Sequence, residues 1–489
     1  MDFLDPKKKR AHTIQLYIGY ALVAIAIGFG ATILLYVALG YGVDRRGNVI
    51  QNGLVFLDSR PDSAEVNITN QDDTFTDQTL TSRRMVLPAD TYTFEYLKED
   101  YRPWERTVDL RGGQIVRLTY PFLFPEDLET EDILEYNHEP DFVSINPSSS
   151  RIIFQQPTFN QFEVLNVNNL SDEPEEITFP TALFNTGYEQ SLELIEWAEN
   201  NRHILVSNSY SDQTDYLVLD TSNPQNSINI NELFALDPEE VKLFDGSSNQ
   251  LYMLLDNNRL VSADIEDRTV TQLVEDVVAF NSYGRNEIVY IRDNNNDDEV
   301  DLRIWDDGDI YTIRSLPIDN NYHLDIDRFN GNWYIAAGHE EGNNVYIYRN
   351  PVSVLEREDD ENKQISTRTL HIENPQNIAF SDNAQFLVAQ SGQNFAVYDA
   401  EADNQYRYET EDEFDETDSV TWMDGYRLHG SVDGRVMVFD FDGSNKQMLS
   451  STIADKPIMF DSDYDNLLTL RFNQNQESFI LTQTALTVD

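Results

Sequence analysis

Cysteine is absent from the 489-residue chain. The protein therefore folds without disulfides, and thiol catalysis and cysteine-ligated iron–sulfur clusters are excluded. Attachment to a membrane through a lipidated cysteine is excluded for the same reason. The chain must rely on hydrophobic cores, and 40% hydrophobic residues with 11% aromatics supply enough apolar surface to build them.

Positive charge is also scarce. The 34 Lys and Arg residues stand against 87 Asp and Glu, so the formal net charge is −53. A surface this acidic repels nucleic acid and anionic lipid, and we expect no nucleic-acid partner. Two interpretations stay open: the acidity attracts a basic partner, or it keeps the surface hydrated and soluble, above all in high salt.

Long apolar runs are missing except for one, at residues 14–40. From Ile14 to Leu39 no side chain is charged, and a helix of this length spans a hydrocarbon core of about 30 Å. Four positive charges, Lys7 to Arg10, precede the run and two, Arg45 and Arg46, follow it. This bias predicts a cytoplasmic N-terminus (1–13) and an extracellular C-terminal part in the cell membrane. A cleaved signal peptide is the alternative, but its apolar stretch is usually about 7–15 residues long.

The remaining chain lacks long helical periodicities and is rich in Tyr, Phe, Val, Ile and Thr, a composition typical of strands. It is too long for one core. We therefore predict an all-β ectodomain with a small β-sandwich at 53–124 and a larger domain at 135–489. Alternating patterns place five strands in the first domain: Leu54–Ser59, Glu65–Thr69, Thr91–Leu97, Arg106–Asp109 and Gln114–Tyr120.

The first domain resembles the PEGA domain, a small β-sandwich of bacterial and archaeal surface proteins. The turn Pro61–Ala64 reads Pro-Asp-Ser-Ala, and Leu87–Tyr92 matches a Leu-Pro-Ala-Gly-x-Tyr pattern. Glycines of the pattern are replaced at three positions: Ser63, Asp90 and Asp100. Asp tolerates a positive φ better than most residues. The resemblance implies spacing or adhesion, with surface-layer or cell-wall attachment, and no catalytic residues.

In the second domain one phrase recurs: a short apolar strand, a polar turn, a strongly apolar strand, a second turn, and a strand closing on Asp or Asn. The repeats start near eight residues: Phe142, Leu192, Val241, Val277, Tyr322, Gln376, Ser419 and Pro457. Four-stranded units at this period predict a β-propeller with eight blades, or seven as the alternative. The phrases at Phe380–Leu387 and Gly430–Val436 resemble the hairpins of WD40-like and TolB-like propellers, which implies the fold and little about function.

Motifs that carry chemistry are almost absent. No histidine pair has zinc spacing, and neither a Gly-x-Ser-x-Gly elbow nor a phosphate loop is found. Asp293, Asn295 and Asp297 alternate as Ca²⁺ ligands do, but Asp298 replaces the turn glycine and Ile304 stands where Glu is needed. A possible Ca²⁺ site and an acidic hairpin loop both stay open, and we expect no other cofactor.

The leading hypothesis is a membrane-anchored surface protein that binds or scaffolds a protein or cell-wall polysaccharide and is not an enzyme. Two alternatives stay open: an extracellular propeller-class hydrolase or lyase, and a subunit of an envelope membrane complex. Buried carboxylates converging with His or Arg at the channel would favour the enzyme. A channel lined by unrelated polar residues would favour binding.

Overall fold

The structure is a computed structural model that describes residues 6–38, 40–43, 49–294, 298–357, 365–415 and 420–488. It divides into two compact units, one over residues 1–127 and the other over residues 128–487. Each unit is described by itself below.

The first unit begins with a long helix, α1 (Pro6–Ala38). Within it, His12–Ala38 is long and apolar enough to cross a membrane, and none of this segment is buried by protein. Its apolar side chains are exposed, among them Leu22, Ile25, Phe29 and Leu34, each at least 61% exposed. An apolar helix without a protein partner is suited to lipid and not to water.

Two four-stranded sheets follow in the first unit and pack face to face. Sheet A contains β1 (Tyr41–Val43), β2 (Val49–Leu57), β5 (Arg83–Pro88) and β8 (Ile115–Leu118). Sheet B contains, in spatial order, β4 (Thr76–Leu80), β3 (Glu65–Asn70), β6 (Asp90–Leu97) and β7 (Trp104–Leu110). All five predicted strands are present with small shifts at their ends. Strands β4 and β5, consecutive in the chain but in different sheets, were not predicted.

The core between sheets A and B is formed by alternate residues of their facing strands. Val55 and Leu57 of β2 pack with Val66, Phe94 and Tyr96 from sheet B, and all five are at most 1% exposed. The turn after β2 has Ser63 at φ 62°, and Asp100 lies at φ 67°. Two of the three positions where the PEGA pattern has glycine therefore have left-handed backbone, whereas Asp90 does not.

The second unit contains eight four-stranded antiparallel sheets, numbered 1 to 8 along the chain. Sheet 1 is β10 (Val143–Ile145), β11 (Arg151–Gln155), β12 (Gln161–Asn166) and β13 (Glu175–Thr178); sheet 2 is β14 (Ser191–Trp197), β15 (His203–Tyr210), β16 (Gln213–Asp220) and β17 (Ile228–Asn229); sheet 3 is β18 (Pro238–Phe244), β19 (Ser247–Leu255), β20 (Leu260–Asp264) and β21 (Thr269–Val274); sheet 4 is β22 (Val277–Tyr283), β23 (Glu287–Asp293), β24 (Glu299–Asp306) and β25 (Asp309–Pro317).

The other four sheets repeat this order. Sheet 5 is β26 (Tyr322–Phe329), β27 (Asn332–His339), β28 (Asn344–Arg349) and β29 (Ser366–His371); sheet 6 is β30 (Asn377–Phe380), β31 (Phe386–Ser391), β32 (Asn394–Asp399) and β33 (Asn404–Glu409); sheet 7 is β34 (Thr421–Trp422), β35 (Arg427–Val432), β36 (Arg435–Asp440) and β37 (Gln447–Ser451); sheet 8 is β38 (Met459–Phe460), β39 (Asn466–Asn473), β40 (Ser478–Ala485) and, from the start of the unit, β9 (Thr130–Tyr136). Short helices lie at α2 (Ile230–Phe234), α3 (Pro351–Leu355) and three 3₁₀ turns, Val167–Asn169, Thr181–Leu183 and Pro224–Asn226.

The sheets form a closed ring, which makes the unit a β-propeller. Shared hydrophobic cores join sheets 1 to 6 in order, ring contacts join sheet 6 to sheet 7, and a hydrogen bond joins sheet 7 to sheet 8. A further core joins sheet 8 to sheet 1 through Leu481, Tyr136 and Phe154. The eight predicted repeat starts each lie within three residues of the start of a first strand, so the number of sheets equals the number of repeats. The ring is closed by β9, which begins five residues before the predicted start of the domain at residue 135.

Candidate functional site: the propeller channel

The first strands of sheets 3 to 6 lie side by side and surround a polar cavity of about 210 Å³. These strands, β18, β22, β26 and β30, differ from the strands that follow them. Their polar and apolar residues alternate, as in Glu240-Val-Lys-Leu on β18, whereas β19 has five consecutive buried residues. Alternation directs one face of each first strand into the neighbouring core and the other into the channel. The residues lining the cavity are Glu240, Lys242, Ala279, Phe280, Tyr322, His323, Leu324, Asn377 and Ile378.

Lys242 is the cation of this cavity. Its Nζ lies 3.5 Å from Oε1 of Glu240 and donates a hydrogen bond of 3.0 Å to Oδ1 of Asn281, on sheet 4. It also lies 5.4 Å from the centre of the Phe280 ring, within the range of a cation–π contact. Burial raises the pKa of Glu240, and the neighbouring ammonium of Lys242 opposes that rise. One charged pair on β18 thus lines the cavity, and Lys242 also connects it to sheet 4 through Asn281.

Polar side chains also connect the first strands to one another. Asn281 Nδ2 donates to the carbonyl of Leu324 (3.0 Å), and Asp325 accepts the backbone N–H of Phe380 (2.8 Å). Each of these bonds joins one sheet to the next. Glu196 on sheet 2 likewise accepts the N–H of Leu243 on sheet 3. Carboxylates held by backbone donors in this way stabilise the ring, because they satisfy N–H groups that strand pairing leaves free.

Burial also perturbs the acids of the channel. It raises the pKa of Asp325 to about 6, although the N–H groups of Phe380 and Ile326 act in the opposite direction. The pKa values of Glu196 and Asp327 are raised by burial as well. Of the four channel acids named so far, Glu240 is paired with Lys242. The other three accept backbone N–H bonds: Glu196, Asp325 and Asp327.

His323 brings the one imidazole of the cavity. Burial lowers its pKa, while a hydrogen bond to the carbonyl of Pro375 and the carboxylate of Glu340 act in the opposite direction. Its Nε2 is buried and has no hydrogen-bond partner among the residues that the structure describes. Neighbouring Asn377 donates from Nδ2 to the carbonyl of Val420, 3.0 Å away on the next sheet. Because a neutral imidazole has one N–H and Pro375 already accepts it, the open Nε2 of His323 can accept a hydrogen bond from a polar ligand.

The predicted Ca²⁺ ligands lie elsewhere, in the hairpin between β23 and β24. Asp293 ends β23 opposite Val300, while Asn295 and Asp297 lie outside the described residues. Within the described part of the chain, no group of three or more His, Asp or Glu side chains is arranged to hold a metal ion. Ile304, at the twelfth position of the pattern, is buried in β24. Strands β23 and β24 pair as the predicted hairpin, and the metal site stays a prediction.

The channel residues belong to no motif that the sequence shows. Lys242 and His323 stand in the sequence without a motif, and Asn281 and Asp325 belong to none. The available signal is the contrast between strands: in each repeat a polar, alternating strand precedes a continuously apolar one. Alternation at the first strand could have identified the channel side, but not which side chains meet across sheets.

Channel acids predict a pH-dependent stability. Because the fold raises these pKa values, protonation favours the folded state; this stabilisation is complete below about pH 4 and is lost as the pH rises through about 6. Asp325→Asn removes one of these titrating groups. Between pH 4 and 7, the free energy of unfolding of the wild type should fall by about 1–2 kcal/mol more than that of the variant. The difference is moderate because Asp325 is only half-buried and solvent screens part of its charge.

Urea unfolding at a series of pH values measures this difference. The variant also leaves the Phe380 N–H with a poorer partner, which costs stability at every pH, so the slope and not the absolute value is the readout. Asp212→Asn, in the exposed β15–β16 turn, is the control and keeps the wild-type slope. Equal slopes for all three proteins would contradict a raised pKa at Asp325.

Comparison with known proteins gives only likenesses of fold. No family model matches the sequence, and no curated protein matches it. Similar solved structures include the Dos1 propeller (11% identity, TM-score 0.44, 74% of this chain and 95% of that one). An oligogalacturonate lyase from Vibrio parahaemolyticus (9%, 0.38, 74% and 97%) and Hsv2 from Kluyveromyces lactis (13%, 0.37, 60% and 97%) are also similar. These similarities carry no argument about function.

Proposed function

We propose that this protein is a membrane-anchored cell-surface binding or scaffold protein, in which a PEGA-like spacer presents a β-propeller to a protein or polysaccharide partner. The observation that carries the proposal is α1: its apolar segment His12–Ala38 has no protein to bury it and precedes two folded units. Such a helix holds those units at a membrane, and the charge bias before it favours an N-terminus inside.

The channel supports binding over catalysis. Glycoside hydrolysis requires two carboxylates at one bond. Among the described residues that line the cavity, Glu240 is the one carboxylate, and it is paired with Lys242. Glu196 and Asp325 accept backbone N–H bonds from the next sheet. These acids stabilise the ring, and the cavity offers polar groups of several kinds for recognition.

The spacer assignment rests on the small unit. Its two sheets pack as a sandwich. Ser63 and Asp100 have a positive φ at positions where the PEGA pattern has glycine. Such a module contributes distance from the membrane and attachment to the cell wall. The alternative of an envelope-complex subunit shares this anchor and spacer, and differs only in having a membrane partner.

Binding can be tested with the full-length protein in nanodiscs, incubated with cell-wall polysaccharide and, separately, with a cross-linked detergent extract of intact membranes. We expect retention of one partner without depolymerisation. The double variant His323→Ala/Asn377→Ala removes two polar side chains that line the cavity. It should lower the amount of retained partner about tenfold, which corresponds to one or two lost hydrogen bonds. Asn249→Ala, at an exposed position near the start of β19, should retain the partner.

The measurement is the amount of bound partner together with the release of reducing or unsaturated sugar ends. New sugar ends that disappear in Glu240→Gln would contradict the proposal and establish the enzyme. If the double variant retains as much partner as the wild type, the binding surface lies elsewhere on the protein and the channel is not part of it.

A further inference from the structure

Sheet A has an outward face that is partly apolar. Leu54 on β2 pairs with Val86 on one side and with Ile115 on the other, so the three side chains form a row across three strands. Val86 is 62% exposed and Ile115 is 51% exposed. Inward positions of the same strands, such as Val55 and Leu87, fill the core instead. The row is therefore an exposed apolar feature and not part of the sandwich interior.

The next row on this face combines an aromatic ring with two cations. Phe56 pairs with Arg84 on β5 and with Arg117 on β8, and both arginines are exposed. The guanidinium of Arg117 lies 5.9 Å from the centre of the Phe56 ring. Together these six residues, Leu54, Phe56, Arg84, Val86, Ile115 and Arg117, form what we name the apolar–arginine patch.

The opposite face of the sandwich has a different character. On the outside of sheet B, Thr93 hydrogen-bonds to Thr107 (2.9 Å), and Asn67 donates to Glu95 (3.2 Å). Those pairs are polar and suited to water. An apolar and cationic patch also contrasts with the whole chain, whose formal net charge is −53. One face of the small unit thus departs from the rest in both polarity and charge.

The patch lies close along the chain to the end of the membrane helix. The N–H of Gly40 donates to the carbonyl of Val37 in α1, and the N–H of Asn52 donates to the carbonyl of Gly40, at 3.0 and 2.8 Å. Two strand residues, about 7 Å, separate Asn52 from Leu54. The rings of Tyr36 and Tyr41 are 5.2 Å apart across the same junction. Sheet A is therefore hydrogen-bonded to the segment that leaves the bilayer.

We propose that the apolar–arginine patch rests on the bilayer surface, with its apolar row at the boundary between headgroups and acyl chains and its arginines on lipid phosphates. Arginine binds phosphate through paired N–H donors, and its aliphatic stem tolerates an apolar boundary. Such a contact fixes the small unit on the membrane as well as tethering it. The proposal rests on the proposed membrane anchoring.

A fluorescent probe tests it, because the chain has no cysteine to compete for labelling. Single variants Val86→Cys, in the patch, and Gln78→Cys, on exposed β4 of sheet B, are labelled with an environment-sensitive dye. Both full-length proteins are placed in nanodiscs of phosphatidylcholine with phosphatidylglycerol. We expect the Val86 probe to shift to the blue and to be protected from iodide about threefold or more relative to Gln78. Arg84→Glu should remove most of this protection, whereas Arg259→Glu, the same charge change on the propeller, should not.

The outcomes separate the possible errors. If the protein fails to co-fractionate with nanodiscs, anchoring itself fails; if it co-fractionates and the two probes are equally quenched, the patch proposal is wrong and anchoring stands. Protection that persists in detergent and grows with protein concentration would overturn a lipid contact and indicate a second copy of the chain. Protection that is lost when phosphatidylglycerol is omitted assigns the arginines to the anionic headgroup, and protection that survives its omission assigns them to the phosphate common to both lipids.

Discussion

Replacement of residues 1–40 with a cleavable signal sequence should move the protein completely from the membrane fraction into the medium. The apolar segment His12–Ala38 is exposed along its whole length, and transfer of such a segment from water to lipid outweighs any loss of freedom by many kcal/mol. The folded units should survive, because their cores do not include this segment. Fractionation with and without carbonate washing measures the effect.

Orientation is checked in the same material. Asp2→Cys and Gln474→Cys, the latter in the exposed β39–β40 turn, are labelled on intact cells with an impermeant maleimide. We expect labelling at Gln474 only, with Asp2 reacting after permeabilisation. A variant in which Lys7, Lys8, Lys9 and Arg10 become Gln should stay in the membrane but give mixed labelling. Release of the wild type into the medium would instead establish a cleaved signal peptide.

Phe154→Ala should destabilise the propeller by about 3–5 kcal/mol, the usual cost of removing a fully buried aromatic side chain. Phe154 on sheet 1 is 0% exposed, and its ring lies 5.4 Å from that of Tyr136 on β9. The substitution therefore leaves a void in the core between sheet 8 and sheet 1, where the ring closes. Because this core joins the two ends of the ring, its loss should lower the stability of the whole unit.

Phe472→Ala is the matched control, because Phe472 on β39 is 46% exposed. Its loss should change stability by no more than about 1 kcal/mol. Urea unfolding followed by far-UV circular dichroism compares the two. Equal effects would show that the sheet 8–sheet 1 core contributes no more than the surface does.

Much of the fold could be predicted because the repeats are periodic. Each repeat places an apolar strand after a polar turn, and this pattern located the first strands of all eight sheets. Strands β4 and β5 were missed because their residues are mostly exposed: Thr76, Asp77 and Gln78 on β4 have no apolar alternation. Each is held by pairing with a strand of its own sheet, β4 with β3 and β5 with β2, and a local periodicity does not record such pairing.

The closure of the ring by β9 and the side chains that meet in the channel could not be predicted from the sequence, for another reason. Strand β9 pairs with β40 across about 350 residues, with Thr130 and Thr484 sharing a hydrogen bond. No local pattern indicates such a partner. Likewise, Lys242, Asn281 and Asp325 come from three sheets, and only the ring brings them together. The sequence shows that these residues are polar, but only the assembled ring brings their side chains close together.

Strand β9 also has a mechanical consequence. The chain enters the propeller at residue 128 and continues at once into β9, which completes sheet 8 by pairing with β40. Within the propeller, β9 is therefore the first strand to receive a pull that arrives from the N-terminal side. The hydrogen bonds that close the ring also bear that load, so the force at which the propeller opens from this end depends on the β9–β40 pairing.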